Sequence, residues 1–147
     1  IKEDVLIGGE ESGGIAIKGH IPERDGIWMG LILFEYMAKS GKTLEELIEE
    51  VYGLVGAFKY WRDDLHIDEK VKKAIVNKCN KNQFKSFGNY TVQSIDKTDG
   101  FKFILSDDEW LMIRPSGTEP VLRCYAESKD LKGAKDILSA CKKEIGV

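Results

Sequence analysis

The run Arg114-Pro115-Ser116-Gly117-Thr118-Glu119-Pro120 brings together groups that bind phosphate. The arginine can contact two phosphate oxygens at once, Ser116 and Thr118 have hydroxyl donors, and Gly117 leaves backbone N–H groups unobstructed. The nucleotide P-loop is excluded, because that motif ends in a lysine and continues into a helix. Proline and glycine also shape simple turns between strands. These residues alone do not distinguish a turn from a phosphate site.

A second cluster, Glu10-Glu11-Ser12, lies between the glycine pairs Gly8-Gly9 and Gly13-Gly14. A carboxylate can accept two hydrogen bonds from neighbouring sugar hydroxyls, and the glycines let a ligand approach the backbone. These residue types therefore suit the binding of a polyol. An acidic glycine loop is also typical of a solvent-exposed turn, so this segment alone does not establish a site.

Local signals indicate which elements hold the acidic loop. Val5–Ile7 reads as a strand that runs into it. Asp25 can cap a helix that ends at Gly41, and Thr43 can begin a second helix through a capping box with Glu46. This order predicts the strand–loop–helix end of an α/β domain.

The remainder of the chain predicts an α+β domain. Asp68 caps a helix, four strands follow, and Asp130 or Ser128 caps a last helix. The expected buried stripe of the first of these helices is Val71, Ala74, Ile75 and Cys79. The expected strands are Tyr90–Ile95, Phe101–Leu105, Glu109–Ile113 and Val121–Ala126, with Asp99-Gly100 as a hairpin turn. Both helices should cover one face of a four-stranded, mostly antiparallel sheet, because each has a single apolar stripe.

Composition excludes several classes of protein. The 147 residues carry a net charge of −3, whereas surfaces that coat nucleic acids have a clustered basic excess. The most apolar run, 27–38, is too short to span a membrane and is expected to be a buried helix. The three cysteines lack metal-ligand spacing, so we expect buried thiols in a cytoplasmic protein. The chain opens on Ile1 beside a strand, which suggests a piece of a longer protein.

Taken together, the two clusters resemble one protein family. Gly9–Gly14, followed by Arg114–Pro120 and then Leu122-Arg123-Cys124-Tyr125, is similar to the α-D-phosphohexomutase superfamily of phosphoglucomutases, phosphomannomutases and phosphoglucosamine mutases. The resemblance covers essentially the whole chain. It implies that residues 1–53 are the C-terminal remnant of the family's third domain. Residues 54–147 would be its fourth domain, with a TATA-binding-protein-like fold.

The resemblance also implies roles for particular residues. The family's sugar-binding and phosphate-binding positions are matched by Glu10, Ser12, Arg114, Ser116, Gly117 and Thr118. Arg123 matches a basic position after the phosphate loop, although an outward-facing side chain on a strand would also explain it. Some members carry histidine where Gly14 stands. No role passes to His20, which is expected to be a surface group, and loop electrostatics are enough to explain Arg24.

The implied activity requires parts that this sequence lacks. Family members carry a phosphoryl group on a serine in the first domain and hold Mg²⁺ in an acidic loop of the second. Neither pattern occurs here, and Asp63-Asp64 would point to opposite faces of a strand. The resemblance therefore implies an isomerase, an intramolecular phosphotransferase whose full-length chain uses Mg²⁺. The present part would bind glucose or mannose 1- or 6-phosphate beside the N-terminal domains of the same chain. It would lack a catalytic residue and a cofactor and would be inactive alone, with no role in nucleic-acid or membrane binding.

A non-catalytic α+β module that binds a protein or a nucleic acid is the alternative. Antiparallel sheets can present aromatic side chains to bases, and Phe101, Phe103 and Trp110 could form such a surface. Core packing would explain these aromatic residues more simply, because they alternate with polar residues along the strands.

Overall fold

The structure is a computed structural model that describes residues 4–10 and 13–147. The chain divides into two units, Ile1–Leu54 and Val55–Val147. The helices are α1 (Gly26–Ser40), α2 (Leu44–Val55), α3 (Glu69–Asn80) and α4 (Leu131–Ile145). The strands are β1 (Ile7–Gly9), β2 (Ile15–Ile17), β3 (Lys59–His66), β4 (Ser86–Phe87), β5 (Tyr90–Thr91), β6 (Ser94–Asp96), β7 (Phe101–Ser106), β8 (Glu109–Pro115) and β9 (Val121–Ser128). In the described part of the chain, every helix is too short or too polar to cross a membrane.

Helix caps in the first unit follow the sequence signals closely. The Asp25 carboxylate accepts hydrogen bonds from the first turn of α1, and Gly41 ends that helix in the left-handed region at φ 67°. The capping box of α2 is formed in both directions. The Thr43 N–H donates to Glu46 Oε2 at 2.7 Å, and the Glu46 N–H donates to Thr43 Oγ1 at 3.3 Å. These signals act over one helical turn, so the local sequence is enough to predict them.

The apolar helix α1 forms as expected, but the expectation that it is buried is wrong for the described residues. None of its side chains is buried, and Ile27 and Phe34 are 82% and 68% exposed. The first unit contains only the short antiparallel pair β1–β2 beside its two helices. Those three-residue strands present too little apolar surface to cover a 15-residue helix.

The second unit confirms the α+β class, with one strand more than expected. Five strands pair antiparallel in the order β3-β9-β8-β7-β6. The additional strand, β3, pairs along its whole length with β9, from Lys59 opposite Ser128 to His66 opposite Val121. Its outward-facing aromatic and charged side chains hide the simple alternation that marks a strand in sequence.

The strand expected over Tyr90–Ile95 divides into two pieces, β5 and β6. The chain changes partner between them, because the Val92 N–H donates to the Lys85 carbonyl and the Gln93 N–H donates to the Ile104 carbonyl. Tyr90 and Thr91 instead form a small hairpin with β4, turned by Gly88 at φ 57°. Which partner each residue takes depends on long-range pairing, and local propensity does not contain that information.

A single apolar core lies between the sheet and both helices of the second unit. Its fully buried large side chains include Phe87, Phe103, Leu111, Ile113, Leu122, Ile137 and Leu138. Burial of each such side chain contributes about 1.5–3 kcal/mol relative to exposure. Helices α3 and α4 thus cover one face of the sheet, as their single apolar stripes predicted. The other face is free for polar side chains.

The cap of α1 leads to a prediction about pH. Hydrogen bonds from the Trp28 N–H and from His20 lower the pKa of Asp25 below its usual value. The ionised carboxylate therefore stabilises the first unit above the ordinary aspartate pKa of about 4, and this contribution is lost as the pH falls through and below that value. We expect the melting temperature of the first unit to fall less in Asp25→Asn than in the original chain as the pH is lowered below about 4. The NMR signals of Ile27 and Trp28 report this melting.

Asparagine also caps helices well, so Asp25→Asn isolates the charge, while Asp25→Ala should lower the melting temperature at every pH. Glu23→Gln is the matched control, because it removes a carboxylate from the same exposed loop. If Glu23→Gln reduced the loss of melting temperature at acid pH as much as Asp25→Asn does, the assignment of this loss to Asp25 would be contradicted.

Candidate functional site

The Arg114–Pro120 loop connects β8 to β9 at one end of the sheet. It is closed by the Ser116 N–H, which donates to the Val121 carbonyl at 3.0 Å. The Glu119 N–H donates to Ser116 Oγ at 3.2 Å, so this hydroxyl stabilises the turn. The Ile67 N–H, at the end of β3, donates to the Pro120 carbonyl at 3.2 Å. The base of the loop is therefore held on both sides.

The tip of the same loop is open to solvent. Gly117 and Thr118 are exposed, and within the described residues neither backbone N–H donates a hydrogen bond. A Cβ atom added to Gly117 would meet no atom within 4 Å. Exposed backbone amides in a turn can receive an anion. The loop thus combines a fixed base with a tip that can donate to a ligand.

Two arginines lie beside this loop on the same face of the sheet. Arg114 at the end of β8 is directly opposite Arg123 on β9. The Arg114 side chain is 38% exposed, and its Nε lies 3.3 Å from the Asp99 carboxylate. Arg123 Nη2 lies 3.5 Å from Glu119 Oε2, while its buried Nε has no hydrogen-bond partner among the described residues. Both guanidinium groups therefore retain capacity for an anionic ligand.

Acidic groups around these arginines are already paired with cations. Asp64 lies opposite Arg123 on β3 and accepts a hydrogen bond from Arg62 Nε at 2.7 Å. This hydrogen bond lowers the pKa of Asp64 more than burial raises it, and the charges of Arg62 and Arg123 lower it further. Asp64 therefore stays ionised near neutral pH, and the sheet face carries a balanced set of charges.

Lys72 was not identified from the sequence as part of the candidate site. In the structure it is the only buried lysine among the described residues. Its Nζ donates to the carbonyls of Ser116 and Glu119 at 3.1 and 2.8 Å, so it holds the candidate loop from helix α3. Val71, expected in the buried stripe of this helix, is 39% exposed. The stripe is formed by Lys72, Ile75 and Cys79, and the spacing of this lysine from the apolar positions is the signal that could have identified it.

Glu10, Gly13 and Gly14 of the first unit are joined by backbone hydrogen bonds and lie beside Arg24. The Glu10 N–H donates to the Gly14 carbonyl at 2.9 Å, and the Gly13 N–H donates to the Glu10 carbonyl at 3.0 Å. The exposed Glu10 carboxylate makes an ion pair with Arg24 Nη1. A Cβ atom on Gly14 would lie 2.6 Å from Arg24 Cδ. Arg24 therefore occupies the space where some proteins of the resembled family carry a histidine. Ser12, the other sugar-binding prediction, lies outside the described residues.

His20 differs from the surface histidine expected in this loop. Its side chain is 25% exposed, and its Nε2 lies 2.9 Å from Asp25 Oδ2. The ring also stacks on Trp28, with centroids 4.9 Å apart. These contacts connect His20 to the cap of α1, and they explain the residue through loop structure.

The adjacent aspartates do not form a metal site. Asp63 accepts a hydrogen bond from Lys142 on α4 at 2.7 Å, whereas Asp64 pairs with Arg62 on the opposite face. Asp108 pairs with Lys129 at 3.1 Å. Across residues 4–10 and 13–147, no group of three histidine, cysteine or acidic side chains could hold a metal ion. The carboxylates of Asp63, Asp64 and Asp108 are thus engaged by lysine or arginine.

The aromatic residues considered for base stacking are mostly core residues. Phe101 and Phe103 are 7% and 0% exposed. Trp110 donates from Nε1 to Glu127 at 2.9 Å, and the Lys102 ammonium lies 4.3 Å from its ring centroid. Two buried phenylalanines cannot stack on nucleic-acid bases. Core packing thus explains Phe101 and Phe103, whereas the expectation of core packing is wrong for Trp110, which is half-buried on the opposite face of the sheet.

The three cysteines are also core residues. Cys79, Cys124 and Cys141 are free and buried. Burial raises the pKa of Cys79 to about 12, and a hydrogen bond with Cys124, together with burial, raises the pKa of Cys141. Such thiols stay protonated and are poor nucleophiles.

Comparison with known proteins identifies the same two parts of the chain. A family description for phosphoglucomutase/phosphomannomutase, alpha/beta/alpha domain III, matches residues 1–55, and one for the C-terminal domain matches residues 62–143. A phosphoglucomutase/phosphomannomutase of Thermococcus kodakarensis is 37% identical over 94% of the chain. A probable phosphoglucosamine mutase of Methanobrevibacter smithii is 31% identical over 99% of it.

These relatives are much longer than the present chain, which covers 28% and 31% of their lengths. A solved structure of a phosphoglucomutase/phosphomannomutase family protein from Burkholderia thailandensis is also similar, with a TM-score of 0.65 and 18% identity. That match covers 94% of the chain and 27% of the solved protein, and it supports the fold alone.

Proposed function

The chain belongs to the phosphoglucomutase/phosphomannomutase family, and on this basis we propose that it is the substrate-binding C-terminal part of a phosphohexomutase. Residues 1–53 are assigned to the end of the third domain and residues 54–147 to the fourth. The full-length protein would interconvert a hexose 1-phosphate and a hexose 6-phosphate. The matched ranges 1–55 and 62–143 support this division.

The structure of the Arg114–Pro120 loop is the observation that carries the proposal. The exposed N–H groups of Gly117 and Thr118 and the guanidinium group of Arg114 are the donors that a phosphate dianion requires. Arg123 lies directly across the strand pair from Arg114 and has an unpartnered buried Nε among the described residues. We assign the non-transferred phosphate of the substrate to this loop.

The sugar ring is assigned to the acidic loop of the first unit. The exposed carboxylate of Glu10, oriented by Arg24, can accept hydrogen bonds from two neighbouring hydroxyls. Ser12 is proposed as a further contact. Glucose and mannose phosphates are the proposed substrates. Because phosphoglucosamine mutases are among the relatives, binding of glucosamine phosphate should be measured beside them.

The proposed reaction needs one phosphate loop that serves both ends of the sugar. A phosphoserine elsewhere in the full-length chain transfers its phosphoryl group to the free hydroxyl of the hexose monophosphate, which gives a 1,6-bisphosphate and a free serine. The bisphosphate then turns around, and the serine receives the other phosphoryl group. A loop that reads only phosphate can hold either end, so catalysis here depends on positioning.

The chemical step is assigned to parts outside this chain. Phosphoryl transfer needs a nucleophile and charge neutralisation by a metal, and the carboxylates of Asp63, Asp64 and Asp108 are paired with lysine or arginine. We therefore propose that the full-length protein binds Mg²⁺ elsewhere and that this part alone has no mutase activity. The free thiols agree with a reducing compartment, and we propose the cytoplasm.

NMR titration tests the binding proposal. We expect millimolar glucose 1-phosphate, and inorganic phosphate as a simpler probe, to shift the amide signals of residues 114 and 116–118 in this chain. Binding should be weak, because one loop makes few contacts. A titration with sodium chloride at equal ionic strength is the control for general screening.

A well-dispersed spectrum with no phosphate-dependent shift of these amides would refute the proposed phosphate site. Shifts caused equally by chloride would also argue against it, since a phosphate loop must distinguish a tetrahedral dianion from a simple anion.

A further inference from the structure

Lys72 is a charged residue in the core-facing stripe of α3. Its side chain is only 9% exposed. The three N–H donors of an ammonium group match three acceptors here, namely the carbonyls of Ser116 and Glu119 at 3.1 and 2.8 Å and Glu69 Oε2 at 2.9 Å. Burial of a charge is costly unless such partners are present. Two of the three partners belong to the backbone of the Arg114–Pro120 loop.

The contact with Ser116 sets the direction of a loop amide. In a trans peptide, the carbonyl of one residue and the N–H of the next point to opposite sides. The Ser116 carbonyl points to Lys72, so the N–H of Gly117 points away from it. That N–H is exposed and donates no hydrogen bond within the described residues. Lys72 thereby directs an amide donor outward.

The second contact holds the other side of the loop. Glu119 also donates its N–H to Ser116 Oγ, so the peptide groups on both sides of Glu119 are held. Gly117 and Thr118 lie between the two anchored carbonyls. Their own backbone groups make no backbone–backbone hydrogen bond in the described part of the chain. The ammonium group therefore ties both sides of the exposed tip to helix α3.

We propose that Lys72 is the positioning residue of the phosphate loop. Its ammonium group holds the loop backbone so that the Gly117 amide faces the ligand, and it places a positive charge beneath the bound phosphate. This inference rests on the proposed phosphate-binding function. It differs from a general stabilising role, because it predicts an effect on phosphate affinity and on the Gly117 amide in a protein that remains folded.

The test compares Lys72→Met with Lys73→Met in this chain. Methionine keeps an apolar stem of similar length but removes the ammonium group. Lys73 is exposed and adjacent on the same helix, so its replacement changes the net charge equally. We expect Lys72→Met to weaken inorganic phosphate binding about tenfold or more, as expected for loss of charge-assisted hydrogen bonds. It should also change the Gly117 amide shift and speed its hydrogen exchange without phosphate. Lys73→Met should stay within about twofold of the original chain.

Glu69→Gln is a second variant for the case in which Lys72→Met does not fold. It keeps the lysine and removes the half-exposed carboxylate that neutralises it. The charge beneath the loop is then less compensated, so we expect phosphate to bind about twofold more tightly. A lysine with a purely structural role would not produce this increase in phosphate affinity. Unchanged or weaker phosphate binding in folded Glu69→Gln would therefore overturn the inference that the Lys72 charge acts on the bound phosphate.

Failure of this inference can be distinguished from failure of the proposed function. If the original chain shows no phosphate response, the proposed function fails. If that chain binds phosphate and folded Lys72→Met binds it equally, with an unchanged Gly117 amide, the inference about Lys72 fails alone. The phosphate-free shift and hydrogen exchange of Gly117 test the positioning of the loop in either case.

Discussion

Replacement of Arg114 by alanine is expected to weaken phosphate binding by about 10- to 150-fold, which corresponds to about 1.5–3 kcal/mol for a charge-assisted hydrogen bond. Arg114 is the half-exposed guanidinium at the start of the loop, and its Nε lies 3.3 Å from the exposed Asp99 carboxylate. A phosphate can replace this long contact with a bidentate pair. The measurement is the phosphate concentration at half-saturation of the Gly117 and Thr118 amide shifts.

If the proposed function is correct, the full-length protein should show the same loss in kcat/KM, because Arg114 would position the substrate for both proposed transfer steps. Arg114→Lys should bind phosphate with intermediate affinity, since lysine keeps the charge and loses the planar fork. Lys129→Ala is the matched control. It removes one positive charge just beyond the other end of β9, where Lys129 pairs with Asp108.

Equal weakening in Arg114→Ala and Lys129→Ala would indicate a general effect of net charge and would contradict a specific role of Arg114. Unchanged phosphate affinity in Arg114→Ala would refute the assignment of this residue.

Replacement of Phe103 by alanine should cost about 3–5 kcal/mol of stability in the second unit. Phe103 is fully buried, and its ring packs edge-on against Phe87 and Phe84, with centroids 5.0 and 6.3 Å apart. Removal of the ring leaves a cavity at the centre of the core. Because small domains are stabilised by about 5–15 kcal/mol in total, much of the stability would be lost.

Urea unfolding followed by circular dichroism measures this effect as a lower midpoint with a similar slope. Ile104→Ala is the control, because Ile104 follows Phe103 on β7 but points to the opposite face and is only half-buried. It should lose less stability. If the two variants were equally destabilised, the core would not be centred on the phenylalanine cluster.

Much of the local structure could be predicted from neighbouring residues. The capping box of Thr43 and Glu46 and the caps at Asp25, Asp68 and Asp130 all form as expected. The alternation along β7 correctly placed Phe101, Phe103 and Leu105 on the buried face. Helix caps and strand alternation depend on residues a few positions apart, so a single sequence contains the necessary information.

Some errors arose where a contact joins distant segments. The four strands predicted for the sheet did not include β3, because its place there depends on pairing with β9, more than fifty residues later. The ion pair of Arg24 with Glu10 agrees with the loop electrostatics expected for this residue, but the sequence did not indicate this partner or the contact with the space above Gly14. Neither partner can be identified from spacing along the chain, because these contacts form only when separate segments fold together.

The amino-acid sequence was sufficient to identify the family and the α+β class, because the two motifs occur in a fixed order and residue types specify local geometry. Tertiary structure revealed that Arg114 and Arg123 share one sheet face and that Lys72 holds the backbone of the loop between them. Strand register brings the arginines together, and helix packing brings a lysine from α3 to loop carbonyls more than forty residues away. Both depend on burial and long-range hydrogen bonding, which act only in the folded chain.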